Sequence, residues 1–269
     1  MLLEIVWSVE PTIFELGPFS VRWYGLLFAL GFIIGFQIFT KFFEWEKRNK
    51  DDLNDLLWYM IIGTVVGARL GHCFFYDAAY YLANPLEIFM IWKGGLASHG
   101  ATIGILVSLY YYSKKKKDQP YIWVLDRMVI PTALGGAFIR LGNFFNSEII
   151  GEKTDVAWGV VFTRVDDFTR HPAQLYESIA YLVVFFILMV LYIKRREILK
   201  PGFILGLFLV LVFGFRFFVE FVKENQKGFE DGLALNMGQI LSIPAVLAGI
   251  YFMFLYQKKK NEGNKKDER

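Results

Sequence analysis

Seven stretches of about twenty apolar residues recur along this chain, at roughly 21–40, 54–75, 87–112, 122–145, 174–193, 202–222 and 236–257. A helix of about 20 residues crosses the ~30 Å hydrocarbon core of a bilayer. Lipid offers no partner for a backbone N–H or C=O, so a chain built of such runs must satisfy its backbone within helices. Composition agrees, at 55% hydrophobic residues and a mean hydropathy of +0.38. Both values lie above those of a soluble domain. The expected fold is an all-α polytopic membrane protein with seven transmembrane helices. Residues 1–257 form a single transmembrane domain, and residues 258–269 form a basic tail.

Loop charges orient this bundle. The set made of 41–50, 114–117, 194–200 and the tail carries 18 Lys and Arg, and the alternate set carries 6. The positive-inside rule places the rich set in the cytoplasm. Seven crossings then put the N-terminus outside and the C-terminus inside. The N-terminal stretch carries Glu4, Glu10 and Glu15 and no early cation, which is not the pattern of a cleavable signal peptide. The first span is therefore expected to act as its own insertion signal. Residues 147–173, between the fourth and fifth spans, are the largest extramembrane piece and fall on the outer side. The alternating VAWGVVFTRV within them predicts a short hairpin. So short a piece buries no core of its own, so it reads as a small cap resting on the bundle.

Small residues spaced four apart let membrane helices approach closely. Gly31 and Gly35, the series Gly63, Gly67 and Gly71, and the pair Gly100 and Gly104 have that spacing, and packing is their expected role. The single cysteine, Cys73, excludes an internal disulfide, and three scattered histidines with one cysteine offer no metal cluster. No cofactor, metal or nucleic-acid partner is expected.

Five cations lie where hydrocarbon disfavours them: Arg69, Lys93, Arg127, Arg140 and Arg216. Even the mildest scale charges roughly 2.5–3.5 kcal/mol for a cation at a span centre, so each must pair, face the bundle interior or meet an anionic ligand. Arg140 and Asn143 share a helix face, Asn146 continues it, and Glu148 follows at the outer interface. The bidentate arginine fork matches a phosphate diester, and the amides suit glycerol hydroxyls. A structural Arg–Glu pair at a helix end is the alternative. Arg216 and Glu220 are i,i+4 partners, again either an ion pair or part of a shared anion site. His99 follows Gly94 and Gly95, a broken stretch of apolar segment that must be buried in protein or line a wet cavity. It is either a proton acceptor or a packed histidine. In RHPAQLYE (170–177), Gln174, Tyr176 and Glu177 enter the outer edge of the fifth span as functional groups or interfacial anchors. Tyr24, in RWYGL at the start of the first span, reads by itself as part of the aromatic belt. The motifs around Tyr24, His99, Arg140, RHPAQLYE and Arg216 all place their polar groups toward the outer leaflet, which predicts one cation-walled cavity.

RWYGL, GARLG (67–71), GGLASHG (94–100), IRLGNFFNSE (139–148), RHPAQLYE and FRFFVE (215–220), in that order on seven spans, together resemble the prolipoprotein diacylglyceryl transferase family. The resemblance runs along nearly the whole chain. It implies a transferase of the bacterial inner membrane, active toward the outer leaflet. Such an enzyme moves the diacylglyceryl group of phosphatidylglycerol to the lipobox cysteine of preprolipoproteins and releases sn-glycerol 1-phosphate. It implies that Arg140 and Arg216 grip the lipid phosphate, with Asn143, Glu148 and Glu220 in the same site. It further implies that His99 activates the thiol and that Tyr24 is a functional tyrosine. The family often has tyrosine four residues before the second arginine, where this chain has Val212. Without the resemblance, a transporter or channel for anions and a non-catalytic lipid-binding protein also account for buried arginines.

Overall fold

The computed structural model describes residues 5–17, 19–224 and 234–256. The tail at 258–269 lies outside them. Eight α-helices carry most of the described chain: α1 (Trp23–Trp45), α2 (Asp51–Phe75), α3 (Ala78–Ala83), α4 (Ser98–Lys115), α5 (Tyr121–Asn146), α6 (Ala173–Arg195), α7 (Phe203–Val219) and α8 (Met237–Ile250). Among the described residues, six helices are long and apolar enough to cross a membrane: α1, α2, α5, α6, α7 with its continuation to Val222, and α8 extended to Phe254. The protein is a multi-pass membrane protein. The third expected span, 87–112, is not one uninterrupted helix. Short 3-10 turns at Pro85–Phe89 and Ile91–Lys93 precede a break, and α4 begins only at Ser98. Gly94 and Gly95 adopt φ of 84° and 73°, a left-handed backbone that glycine tolerates best.

The chain divides into two compact units, residues 38–125 and residues 1–37 with 126–269. In the first, α2 and α4 pack antiparallel through the glycine series. A Cβ at Gly67 would lie 2.5 Å from the Gly100 carbonyl oxygen, and one at Gly71 would lie 2.6 Å from Gly100 Cα. Ser108 Oγ donates to Tyr59 O at 2.5 Å across the same seam. At its charged end, buried Asp52 accepts from Gln119 Nε2 (2.8 Å), pairs with Lys116 and joins the start of α2 to the end of α4. Buried Arg69 is tied to backbone. It donates to Ile88 O (2.9 Å), Glu87 O (2.5 Å) and Gly94 O (2.5 Å), fixing the broken segment against α2. This answers how its charge is borne: carbonyl dipoles solvate it. Lys93 pairs with Glu87 at 3.1 Å.

In the second unit, Gly31 of α1 faces Gly135 of α5, and Gly206 of α7 faces Gly249 of α8. Arg127 lies over the Tyr192 ring at 5.6 Å. Asp126 of α5 accepts from Gly202 N (2.7 Å) and Leu205 N (2.8 Å), capping α7 from a neighbouring helix. A hairpin forms, but only its first strand lies in the alternating stretch: β4 (Val160–Phe162) pairs antiparallel with β5 (Thr169–Arg170), which falls beyond Val165. A strand that the pattern did not reveal, β1 (Ile5–Trp7), adds parallel to β4, with Ile5 opposite Val160. A second hairpin, β2 (Thr12–Leu16) with β3 (Phe19–Arg22), leads into α1. The cap shares its core with the bundle, as its length demands. Phe144 at the end of α5 clusters with Ile150, Val160 and Phe162, and Trp7 and Leu175 close the cluster.

Candidate active site

The end of α5 carries the site. Arg140, Asn143 and Asn146 follow each other on one face, as i,i+3 spacing requires. The helix then stops, and Ser147 and Ile149 take φ of 54° and 58°. This tight reversal brings Glu148 back over the helix it has just left. Glu148 Oε1 accepts from Asn143 Nδ2 at 2.7 Å and from Asn146 Nδ2 at 3.1 Å. Asn143 Oδ1 in turn accepts from Arg140 NH1 at 3.2 Å. Left-handed non-glycine residues cost of order 1 kcal/mol each and collect where a site needs a particular geometry. Tyr24 joins from α1, half-buried and seated on Gly142: a Cβ there would lie 2.8 Å from the tyrosine ring.

Neighbouring helices supply the countercharges. α6 lies close to α5, with Ser178 Oγ donating to Ala137 O at 2.9 Å. Its fully buried Glu177 sits 3.1 Å from Arg140 Nε and accepts from Tyr181 OH at 3.1 Å. Gln174, also fully buried, donates to Glu148 O at 2.8 Å and fixes the reversal. Arg216, in the last turn of α7, lies 3.4 Å from Glu220 Oε1. Lys223 links the two halves, donating to Glu220 Oε1 at 2.7 Å and lying 3.8 Å from Glu177 Oε2. Asn236, the N-cap of α8, donates to Glu220 Oε2 at 3.3 Å. Gly238 leaves room for that carboxylate, since a Cβ would lie 2.5 Å from Glu220 Oε1.

Six of the expected residues therefore fall in this one unit: Tyr24, Arg140, Asn143, Glu148, Arg216 and Glu220. Hydrogen bonds and ion pairs chain the last five together through Glu177 and Lys223. His99 belongs to the other unit, where it is exposed at the first turn of α4, with ring centroids 5.6 Å from Phe75 and 5.7 Å from Tyr76. Lys223 and Asn236 were given no site role in the sequence, and Glu177 was left open between a functional group and an interfacial anchor. Glu177 carried a signal, as a carboxylate entering a span. Lys223 reads as a loop residue, and Asn236 as the first residue of the seventh span.

Seven buried side-chain polar atoms among the described residues have no hydrogen-bond partner, and five of them are here. They are Asn146 Oδ1, Ser147 Oγ, Gln174 Oε1, Glu177 Oε2 and Arg216 Nε. Buried polar atoms are seldom left so, and a concentration of them marks where a polar ligand or water completes the bonding.

The family model for prolipoprotein diacylglyceryl transferase matches residues 11–255. The chain belongs to the prolipoprotein diacylglyceryl transferase family. Relatives bear this out along most of their length. A phosphatidylglycerol–prolipoprotein diacylglyceryl transferase of Chloroherpeton thalassium is 52% identical over 93% of both chains. One from Tolumonas auensis is 48% identical over 95% of this chain and 99% of its own. One from Bacteroides fragilis is 47% identical over 97% and 98%. Family membership and the α5 end concern the same segment, since IRLGNFFNSE at 139–148 carries the resemblance and the polar chain starts there.

Proposed function

We propose that this protein transfers the diacylglyceryl group of phosphatidylglycerol to the lipobox cysteine of preprolipoproteins, forming a thioether and releasing sn-glycerol 1-phosphate. It works in the bacterial inner membrane, with seven spans, the N-terminus outside, the active site toward the outer leaflet and residues 147–173 as an extracytoplasmic cap on one domain. The observation that carries the reading is the linked chain of Arg140, Glu177, Lys223, Glu220 and Arg216, with unsatisfied buried polar atoms along it. Its two guanidiniums, Arg140 and Arg216, have the donor geometry that suits one phosphodiester.

The reaction breaks a glycerol C–O bond. Sulfur attacks that carbon, the electron pair leaves on the phosphate oxygen, and the thiol proton passes to a base. A thiol with pKa near ~8.5 is mostly protonated at neutral pH, so deprotonation comes first. His99 takes that proton. The leaving phosphomonoester gains charge as the bond breaks. Guanidiniums held against it, in a setting of low dielectric, stabilise that charge more in the transition state than in the ground state. Asn143, Asn146 and Glu148 offer donors and an acceptor to the hydroxyls of the glycerol head group, and Tyr24 flanks them.

The test is reconstitution with phosphatidylglycerol vesicles and a lipobox peptide bearing one cysteine, followed by mass spectrometry. The expected result is a mass gain of one diacylglyceryl group with the wild type and none with Arg140→Ala. An unmodified peptide after incubation with folded, lipid-supplied protein sinks the reading and moves anion transport forward.

A further inference from the structure

Lys223 follows directly on the Arg216–Glu220 segment and reads in the sequence as one of the loop charges, yet it is 4% exposed. The cap holds it there. Its backbone bridges Gly151, with Glu152 N donating to Val222 O at 2.9 Å and Glu224 N donating to Ile150 O at 3.2 Å. Its ammonium is thereby set between the carboxylate that serves Arg216 and the one that serves Arg140.

The carboxylates' other partners complete the pattern. Glu220 Oε1 is taken by Lys223 and Oε2 by Asn236. Glu177 Oε1 is taken by Tyr181, while Oε2 lies 3.1 Å from Arg140 Nε and 3.8 Å from Lys223 Nζ. Both oxygens of Glu220 thus have a partner other than an arginine. The effect is visible at Arg216, whose Nε is 3.4 Å from Glu220 Oε1 and makes no hydrogen bond among the described residues. Its side chain remains 33% exposed. A guanidinium and a carboxylate with no other partner close into two parallel N–H···O bonds, and a low dielectric strengthens that closure. Such a pair would have little left for a phosphate.

Building on the transferase reading, we propose that Lys223 is a positioning residue for the phosphate site. It occupies the carboxylate of Glu220 so that Arg216 is oriented by it without being consumed by it.

The experiment measures kcat and KM for phosphatidylglycerol in mixed vesicles, using the lipobox peptide, for wild type, Lys223→Met and Lys223→Met/Glu220→Gln. Lys223→Met is expected to lower kcat/KM more than about tenfold, with a raised KM, because truncating one member of a buried charge set frees its partners to recombine. Removing the Glu220 charge as well is expected to recover about threefold or more over the single variant, since Arg216 then has no carboxylate to close on. A packing role makes the opposite prediction, with the double variant no better than the single. If Lys223→Met is not recovered folded, Lys223→Gln replaces it in the same comparison, with the same losses and recoveries expected. An inactive wild type would overturn the transferase reading itself. An active wild type overturns only the role of Lys223 if Lys223→Met matches its kcat/KM or the double variant shows no recovery.

Discussion

Arg140 is held at two points, Nε against Glu177 and NH1 on Asn143, and that two-point hold is what a lysine cannot copy. Arg140→Lys is therefore expected to lose transfer nearly as fully as Arg140→Ala, by roughly a hundredfold or more, the loss seen when a preorganised charge stabiliser is removed. Both variants should insert normally, because one polar position does not decide the insertion of a long apolar helix. Peptide lipidation rates measured on purified variants check this, and a near-wild-type rate for Arg140→Lys would show that a point charge is enough. His99→Gln should slow transfer near neutral pH and recover as the pH rises past the ~8.5 at which a thiol ionises unaided. A normal rate at neutral pH removes it as the base. The pairs on one helix, Arg140 with Asn143 and Arg216 with Glu220, were legible because helical spacing alone brings them together. Glu177 and Lys223 were not, since their partners are chosen by how α6, α7 and the cap pack, and that information is spread over the whole chain.

Helix contact through glycine was readable for the same reason of spacing, and its energetics separate two glycines that look alike in sequence. Gly67 meets the Gly100 carbonyl of α4, whereas a Cβ at Gly135 meets nothing within 4 Å. Gly67→Ala is expected to destabilise by about 1–3 kcal/mol through overpacking, while Gly135→Ala is neutral or stabilising by up to about 1 kcal/mol. Unfolding midpoints in one detergent decide it, and equal shifts would deny the seam. The first strand of the cap hairpin was legible from alternation, but its partner β5 and the parallel addition of β1 were not, because β5 is two residues long and β1 is distant in sequence. The cap also carries a pH response. Arg170 binds Asp166 through Nε and NH2, the latter at 2.6 Å, and this holds the Asp166 carboxyl below its ordinary range. With the folded value depressed, the stabilisation is complete above the unfolded carboxylate value of ~4 and is lost as pH falls through the folded one. Partial exposure keeps the effect modest. Amide protection of β4 and β5 should fall between about pH 5 and about pH 3 in the wild type, and Asp166→Asn should flatten that change. Unchanged wild-type protection over this range counts against it.

For the molecule as a whole, the question is whether the chain crosses an odd or an even number of times, and α4 decides it. By composition α4 is the weakest candidate, with Ser98 and His99 at one end and Lys114 and Lys115 at the other. Its packing argues otherwise. α4 runs antiparallel to α2 from Ala97, whose N–H bonds Ala68 O at 3.0 Å, to Lys116, paired with Asp52. The glycine seam fills the interval between. A helix zipped to a spanning helix over that whole length is expected to cross with it, and its polar ends then fall at the two interfaces where charge is tolerated. Seven crossings would follow, in agreement with the loop charges. The consequence is testable with single cysteines in a Cys73→Ser background, an exchange expected to leave transfer intact because the reacting thiol belongs to the acceptor. A membrane-impermeant maleimide added to intact cells should label Asn84→Cys and Asp167→Cys, whereas Lys117→Cys should react only after permeabilisation. Asn84 and Lys117 flank α4, so labelling of both from the same side would mean that α4 does not cross. The chain would then have six spans, its two ends would lie on one side of the membrane, and the exposed His99 at the start of α4 would lose its claim to the outer-leaflet chemistry.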